Sequence, residues 1–284
     1  MPVPVVVGTD GSGAAKRAVE WAAADAARRH RPLHIVHAAR IWPYQVRRFT
    51  PPDGAERASR AGSDVLLEAE KHVRARWPEL RVTTALAVNT PPDALRDESE
   101  KALELVVGQR GRGGFVGLLL GSVSLRVAGH SPVPVVVVRG EAGADRGEVA
   151  VGWDIEDEAI DVLEYAFDAA AVRGARLRVV HAWQIPASLA ESGYAVDEDQ
   201  MNDERRAGVI AAYAPLRERY PLVEVVNEVI VGHPVSALSK VSRTADLLVV
   251  GVSRHRSGLP GLGSVVHGAI HHAECPVAVV GPSR

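Results

Sequence analysis

The residues best suited to chemistry in this chain are glycines and hydroxyls rather than acids and bases. From Leu103 to Ser124 the sequence reads LELVVGQRGRGGFVGLLLGSVS. The apolar run Leu105-Val106-Val107 breaks at Gly108 and enters a loop with Gly111, Gly113, Gly114, Gly117 and Gly121. A helical pattern starts at Ser122. Glycine lets a backbone approach a ligand closely, and a helix start offers unpaired N–H groups and a partial positive charge. A strand that empties through glycines into a helix is therefore suited to holding phosphate, with the hydroxyls of Ser122 and Ser124 beside it. Asp10 ends the run VVVGTD and could accept hydrogen bonds from a sugar hydroxyl or a base amino group. Asp10-Gly11-Ser12-Gly13 is also good turn chemistry. An acid recurs at Asp154, where those glycines are absent, which favours a role beyond the turn.

The elements that must carry these loops occur twice. Val6-Val7-Gly8-Thr9-Asp10 returns as Ala150-Val151-Gly152-Trp153-Asp154, and His37-Ala38 as His181-Ala182, both 144 residues later. Pro91, Ala94 and Leu95 return at Pro234, Ala237 and Leu238. Gly121-Ser122-Val123 returns as Gly263-Ser264-Val265, now 142 residues later. A near-constant offset across the whole unit marks a tandem duplication of a domain-sized segment, too long for a solenoid repeat. The polar, Gly-rich stretch GEAGADRG, Gly140 to Gly147, reads as the linker, giving domains 1–140 and 147–284. Within each copy apolar runs alternate with helical patterns. In the first, Ser12 caps a helix whose Ala15, Ala18, Val19, Ala22 and Ala26 share one face. Strand–helix alternation implies right-handed βαβ units, a parallel sheet, and a ligand crevice beyond the strands' carboxyl ends where strand order reverses. The apolar last strands, Val133–Val138 and Val277–Val280, would lie at sheet edges, which invite pairing.

Composition narrows the function classes. The chain has 284 residues, 46% of them hydrophobic and 24% charged, with net charge −2. These are ordinary values for a soluble globular protein, and no basic field argues for nucleic acid. Cys275 is the sole cysteine, so an intrachain disulfide and Cys-rich zinc sites are excluded. No apolar run approaches the roughly 18 residues of a membrane span, and the N-terminal stretch lacks the basic region of a signal peptide, so a cytoplasmic location is expected. The P-loop pattern is absent. Gly11-Ser12-Gly13-Ala14-Ala15-Lys16 falls one residue short of GxGxxG, and the second strand ends without the acid a dinucleotide fold uses. His267 and His271 are four apart, but a metal would need a third ligand; they read as a partly exposed helix end. Trp21, Trp77, Trp153 and Trp183 read as packing or surface anchors rather than base-stacking platforms.

Gly108-x2-Gly111-x9-Gly121-Ser122, with VVVGTDGS, the VHA of the second strand, the proline before the last strand and the tandem layout, resembles the nucleotide-binding members of the universal stress protein family. The resemblance covers essentially the whole chain. It implies an α/β fold of two tandem doubly wound domains, each with a five-stranded parallel sheet ordered 3-2-1-4-5 and flanked by helices. It also implies ATP as the ligand, Mg2+ as its candidate companion, no catalytic centre, and a homodimer. Carried over, Asp10 and the backbone at Ala38 would contact adenosine, and Gly108, Gly111, Gly121, Ser122 and Ser124 would surround ribose and phosphates. The second-copy counterparts are Asp154, Ala182, Gly251, Gly263 and Ser264. That copy departs from the pattern: Arg254 stands where Gly111 does, its loop is one residue shorter, and Val266 replaces Ser124. If Gly111 needs a left-handed conformation, a non-Gly residue there costs roughly 1–2 kcal/mol. The expected function is ATP-dependent stress response or growth regulation through conformation or partner choice. The competing readings are a slow ATPase or nucleotidyl-transferase, and an interaction scaffold with a vestigial or cyclic-AMP-binding pocket.

Overall fold

The computed structural model describes residues 2–39, 54–111, 120–140, 145–156, 159–185, 197–252 and 262–282. The chain divides into two compact units, Met1–Ala142 and Gly143–Arg284.

In the first unit β1 (Val5–Gly8), β2 (Leu33–Ala38), β3 (Val82–Ala87), β4 (Glu104–Gly108) and β5 (Val135–Val138) alternate with helices α1 (Gly13–Arg28), α2 (Gly54–Arg76), α3 (Pro91–Ser99) and α4 (Ser122–His130). All pairings are parallel, and their order is β3-β2-β1-β4-β5. Val5, Val6 and Val7 are all fully buried, as a parallel strand covered on both faces requires. α1 packs with α2, and α3 with α4. On α1 the buried face includes Ala15, Ala18, Val19, Ala22 and Ala26, the stripe read from the sequence. Ser12 is the N-cap, its side chain accepting the Ala15 N–H at 3.2 Å. The chain leaves β1 towards β2 on one side and returns through β4 on the other, so the strand order reverses between β1 and β4.

The second unit repeats the plan with β6 (Glu148–Gly152), α5 (Ile160–Arg173), β7 (Arg176–Trp183), α6 (Glu198–Arg219), β8 (Val225–Val231), α7 (Pro234–Val241), β9 (Leu247–Gly251), α8 (Gly263–His272) and β10 (Val277–Val280). Its parallel sheet runs β8-β7-β6-β9-β10. The order 3-2-1-4-5 therefore holds in both units.

At the opposite end of the second sheet from its crevice, Asp246 ties down the start of β6. Its two carboxylate oxygens accept the N–H groups of Arg146 at 2.7 Å and Glu148 at 3.2 Å. Cys275 is buried nearby, and burial pushes its thiol up to about 12. The thiolate is the reactive species. The folded protein is therefore expected to resist Ellman's reagent at pH 8 and to release one equivalent of thionitrobenzoate only on unfolding; immediate reaction would contradict this packing.

Candidate functional site

Beyond the carboxyl ends of β1 and β4 the structure brings together two of the loops singled out in the sequence. Asp10 makes the turn and lies against the Gly-rich loop. Its Oδ1 accepts the Ser12 N–H at 2.9 Å, making the turn into α1. Its Oδ2 lies where a Cβ on Gly111 would come within 2.5 Å. Positive φ is not what reserves this position. Among the described residues Gly11, with φ 76°, needs glycine for its backbone conformation, whereas Gly111 is not one of the positive-φ glycines. The left-handed expectation for Gly111 is thus corrected: the space beside a carboxylate, not backbone handedness, excludes a side chain.

Gly108 is glycine for a different reason. A Cβ there would lie 2.7 Å from the Ala14 carbonyl oxygen and 2.8 Å from its carbon, both backbone atoms of the first turn of α1. Gly108→Ala is therefore expected to push β4 off α1 and cost about 1–3 kcal/mol. Denaturant unfolding would read this as a lowered midpoint, and an unchanged midpoint would refute the close packing.

Two helix starts face this crevice. In α1, Asp10 takes the N–H of Ser12 and Ser12 takes that of Ala15, leaving Gly13 and Ala14 without intrahelical acceptors. In α4 the N-cap is Gly121, which has no side-chain cap. The Gly121 N–H donates to the Gln109 carbonyl at 2.8 Å, tying the helix start to the end of β4. The first-turn amides of α4, from Ser122 to Ser124, lie beyond that tie with no side-chain cap, and Ser122 is exposed. Ser124 departs from expectation. It is buried, and its hydroxyl donates to the Gly108 carbonyl at 2.7 Å, so it holds the loop rather than meeting a ligand through its side chain. Gly113, Gly114 and Gly117 lie outside the described residues.

The backbone at Ala38 is presented to the same crevice. The Val36 carbonyl accepts the Thr9 N–H, and the Ala39 N–H donates to Ala87 on the far side. Alternate residues of a strand turn their peptide groups to opposite neighbours. Ala38 therefore shares the Val36 side, where β1 has already ended at Gly8. Beside the β1–α1 loop a cavity of about 350 Å³ opens between α1 and α2, lined by Thr9 and Gly11 and by Val19, Val65 and Ala69.

One contributor was missed in the sequence. His37 Nδ1 lies 2.8 Å from the Thr9 carbonyl oxygen, and His181 Nδ1 lies 3.0 Å from that of Trp153. A carbonyl only accepts, so each ring donates from Nδ1 and clamps the last peptide before the Asp-bearing loop. The repeated His-Ala pair was the available signal.

In the second unit Asp154 keeps the turn, its Oδ1 accepting the Glu156 N–H at 3.1 Å, and it is exposed. Ala182 occupies the register position of Ala38, Gly251 ends β9, and Gly263 and Ser264 open α8. Arg254 lies outside the described residues. His267 and His271 stack at 4.4 Å near the end of α8, and the described residues hold no group of three His, Cys, Asp or Glu placed for a metal.

A sequence profile of the "Universal stress protein family" matches residues 1–139 and again 147–281. The chain belongs to the universal stress protein family. A universal stress protein of Mycolicibacterium smegmatis is 38% identical over 287 residues, covering 98% of this chain and 97% of its own. One from Mycobacterium tuberculosis is 33% identical over 285 residues, covering 97% and 96%. The crystal structure of a universal stress protein from Archaeoglobus fulgidus shares the fold, with a TM-score of 0.71 over 98% of this chain and 96% of that one at 22% identity. The match to the universal stress proteins thus spans both repeats. Among the described residues no helix is long and apolar enough to cross a membrane.

Proposed function

We propose that the first domain binds ATP in the crevice between β1 and β4, and that the protein serves a stress response or growth control through ligand-dependent conformation or partner choice. The observation that carries this reading is the meeting of Asp10 Oδ2 with the Cβ position of Gly111. A strand-end carboxylate and the Gly-rich loop thus meet at the carboxyl ends of the two strands where strand order reverses. The residues fit a nucleotide in kind. Uncapped amides at the starts of α1 and α4 suit a polyphosphate, Asp10 suits a ribose hydroxyl or amino group, and the Ala38 peptide suits a base edge. Mg2+ would accompany the phosphates as their counter-ion. No residue is assigned a catalytic role in this reading.

Isothermal titration calorimetry with ATP tests it. The wild-type chain is expected to bind, and Asp10→Ala to lose about tenfold in affinity, the value of one hydrogen bond to a charged group, with Tm lowered only by the lost turn bond to Ser12. Equal affinity in both would remove Asp10 from the site. Phosphate release above buffer background that disappears in Asp10→Ala would replace the binding-protein reading with an enzyme.

A further inference from the structure

We infer that the second domain is plugged by its own side chains, so that one chain carries one nucleotide; this rests on the reading of the first domain given above. Under the 144-residue offset, Thr9 corresponds to Trp153, Gly11 to Ile155 and Ala39 to Trp183. In the first domain Thr9 and Gly11 stand on either side of Asp10 and line the cavity of about 350 Å³ between α1 and α2, beside the crevice rather than in it. In the second, the same positions carry an indole and a sec-butyl group, and a second indole stands at the end of β7.

These side chains are packed, not splayed. Trp153 and Trp183 are each only 6% exposed. Trp183 Nε1 donates to Asn202 Oδ1 at 2.9 Å, and the Arg205 guanidinium carbon sits 3.9 Å from its ring centroid. A guanidinium over an indole is a cation–π contact, so α6 supplies a cation to a ring face from within the chain. On the same helix, the Cβ position of Gly208 lies 3.6 Å from Ile155 Cδ1, so α6 packs against Ile155 as well.

The phosphate end is altered as well. α1 begins five residues after β1 ends, whereas α5 begins eight after β6 ends, and its N-cap Ala159 makes no side-chain cap bond. The Gly251 Cβ position is met by a Val162 methyl at 2.6 Å, where Gly108 meets backbone. The Trp153 indole N–H has no acceptor among the described residues, which fits a residue placed for bulk.

The test uses the full chain with Trp21, Trp42 and Trp77 replaced by phenylalanine, leaving Trp153 and Trp183 as reporters. Both indoles are expected to resist acrylamide and to emit unchanged in millimolar ATP. Calorimetry on the unsubstituted chain is expected to give one equivalent of ATP. Trp153→Phe, which keeps bulk and removes the stranded donor, is expected to hold or raise Tm. Two equivalents, or an ATP-dependent change in Trp153 and Trp183 emission that persists when Gly111→Val disables the first domain, would overturn the plug. If the unsubstituted chain binds no ATP while both indoles stay shielded, the first-domain reading falls and the plug stands.

Discussion

Replacing Gly111 with valine is expected to weaken ATP binding by roughly 30-fold, or about 2 kcal/mol, while leaving the fold intact. The added Cβ would come within 2.5 Å of Asp10 Oδ2, and the valine methyls deepen the clash. The carboxylate is the end of a side chain and can swing away, so the strain is relieved locally. Swinging away breaks its 2.9 Å bond from the Ser12 N–H and moves the acceptor from the nucleoside. Loss of a hydrogen bond to a charged group accounts for about 1.5–3 kcal/mol, and every 1.4 kcal/mol is tenfold in affinity. Gly111 is exposed, so no core packing is at stake. Calorimetry alongside thermal unfolding separates the two effects: affinity should fall about 30-fold, while Tm falls only by the loss of the Ser12 bond, about 1 kcal/mol. A fall in Tm without loss of affinity would mean that Gly111 serves the fold only.

The largest stability effect is expected at the other end of the second sheet. Glu148 is fully buried at the start of β6. It takes bonds from Arg176 Nε at 2.5 Å, from Arg178 Nε and Nη2 at 2.9 Å each, and from the Thr244 hydroxyl at 3.3 Å. Arg178 also reaches Glu228 at 2.8 Å. Glu148→Ala removes the centre of this network and is expected to destabilise the second domain by about 3 kcal/mol, the low end for a broken buried pair because Arg178 keeps Glu228 and is partly exposed.

The same network makes stability pH-dependent. Burial pushes the Glu148 carboxyl up, but the hydrogen bonds and charges of Arg178 and Arg176 outweigh it and hold it below the usual carboxylate range. Arg178 is raised by Glu148 and Glu228 and stays charged throughout. A carboxyl depressed in the folded state stabilises above its unfolded pKa, near 4.3, and that stabilisation is lost as pH falls through the lower folded value. The Tm gap between wild type and Glu148→Gln should therefore be full at pH 7 and shrink below about pH 4. A gap independent of pH would contradict the ion pairs.

Much of this was legible in the residues. Periodicity placed the buried stripe of α1 and its Ser12 cap, because a helix face and a capping hydroxyl depend on local spacing alone. The duplication located both crevices. What spacing could not supply was contact between distant segments. Gly111 owes its identity to Asp10, about a hundred residues earlier in the chain, and Gly108 owes its own to the backbone of Ala14. Ser124 read as a phosphate ligand because its position follows the loop, yet helix phase turns it inward onto Gly108. The pairing of His37 with Thr9 and of His181 with Trp153 depends on strand register, which repetition alone does not reveal. Of the two readings open for Trp153 and Trp183, packing or surface anchors, burial selects packing.

The central claim is that the first crevice holds a nucleotide, and a crystal structure grown with millimolar ATP and Mg2+ tests it most directly. The account predicts phosphate density within hydrogen-bonding distance of the Ser122–Ser124 amides and a nucleoside beside Asp10 and the Ala38 backbone. A first-domain crevice left empty, or nucleotide bound elsewhere on the chain, would contradict it.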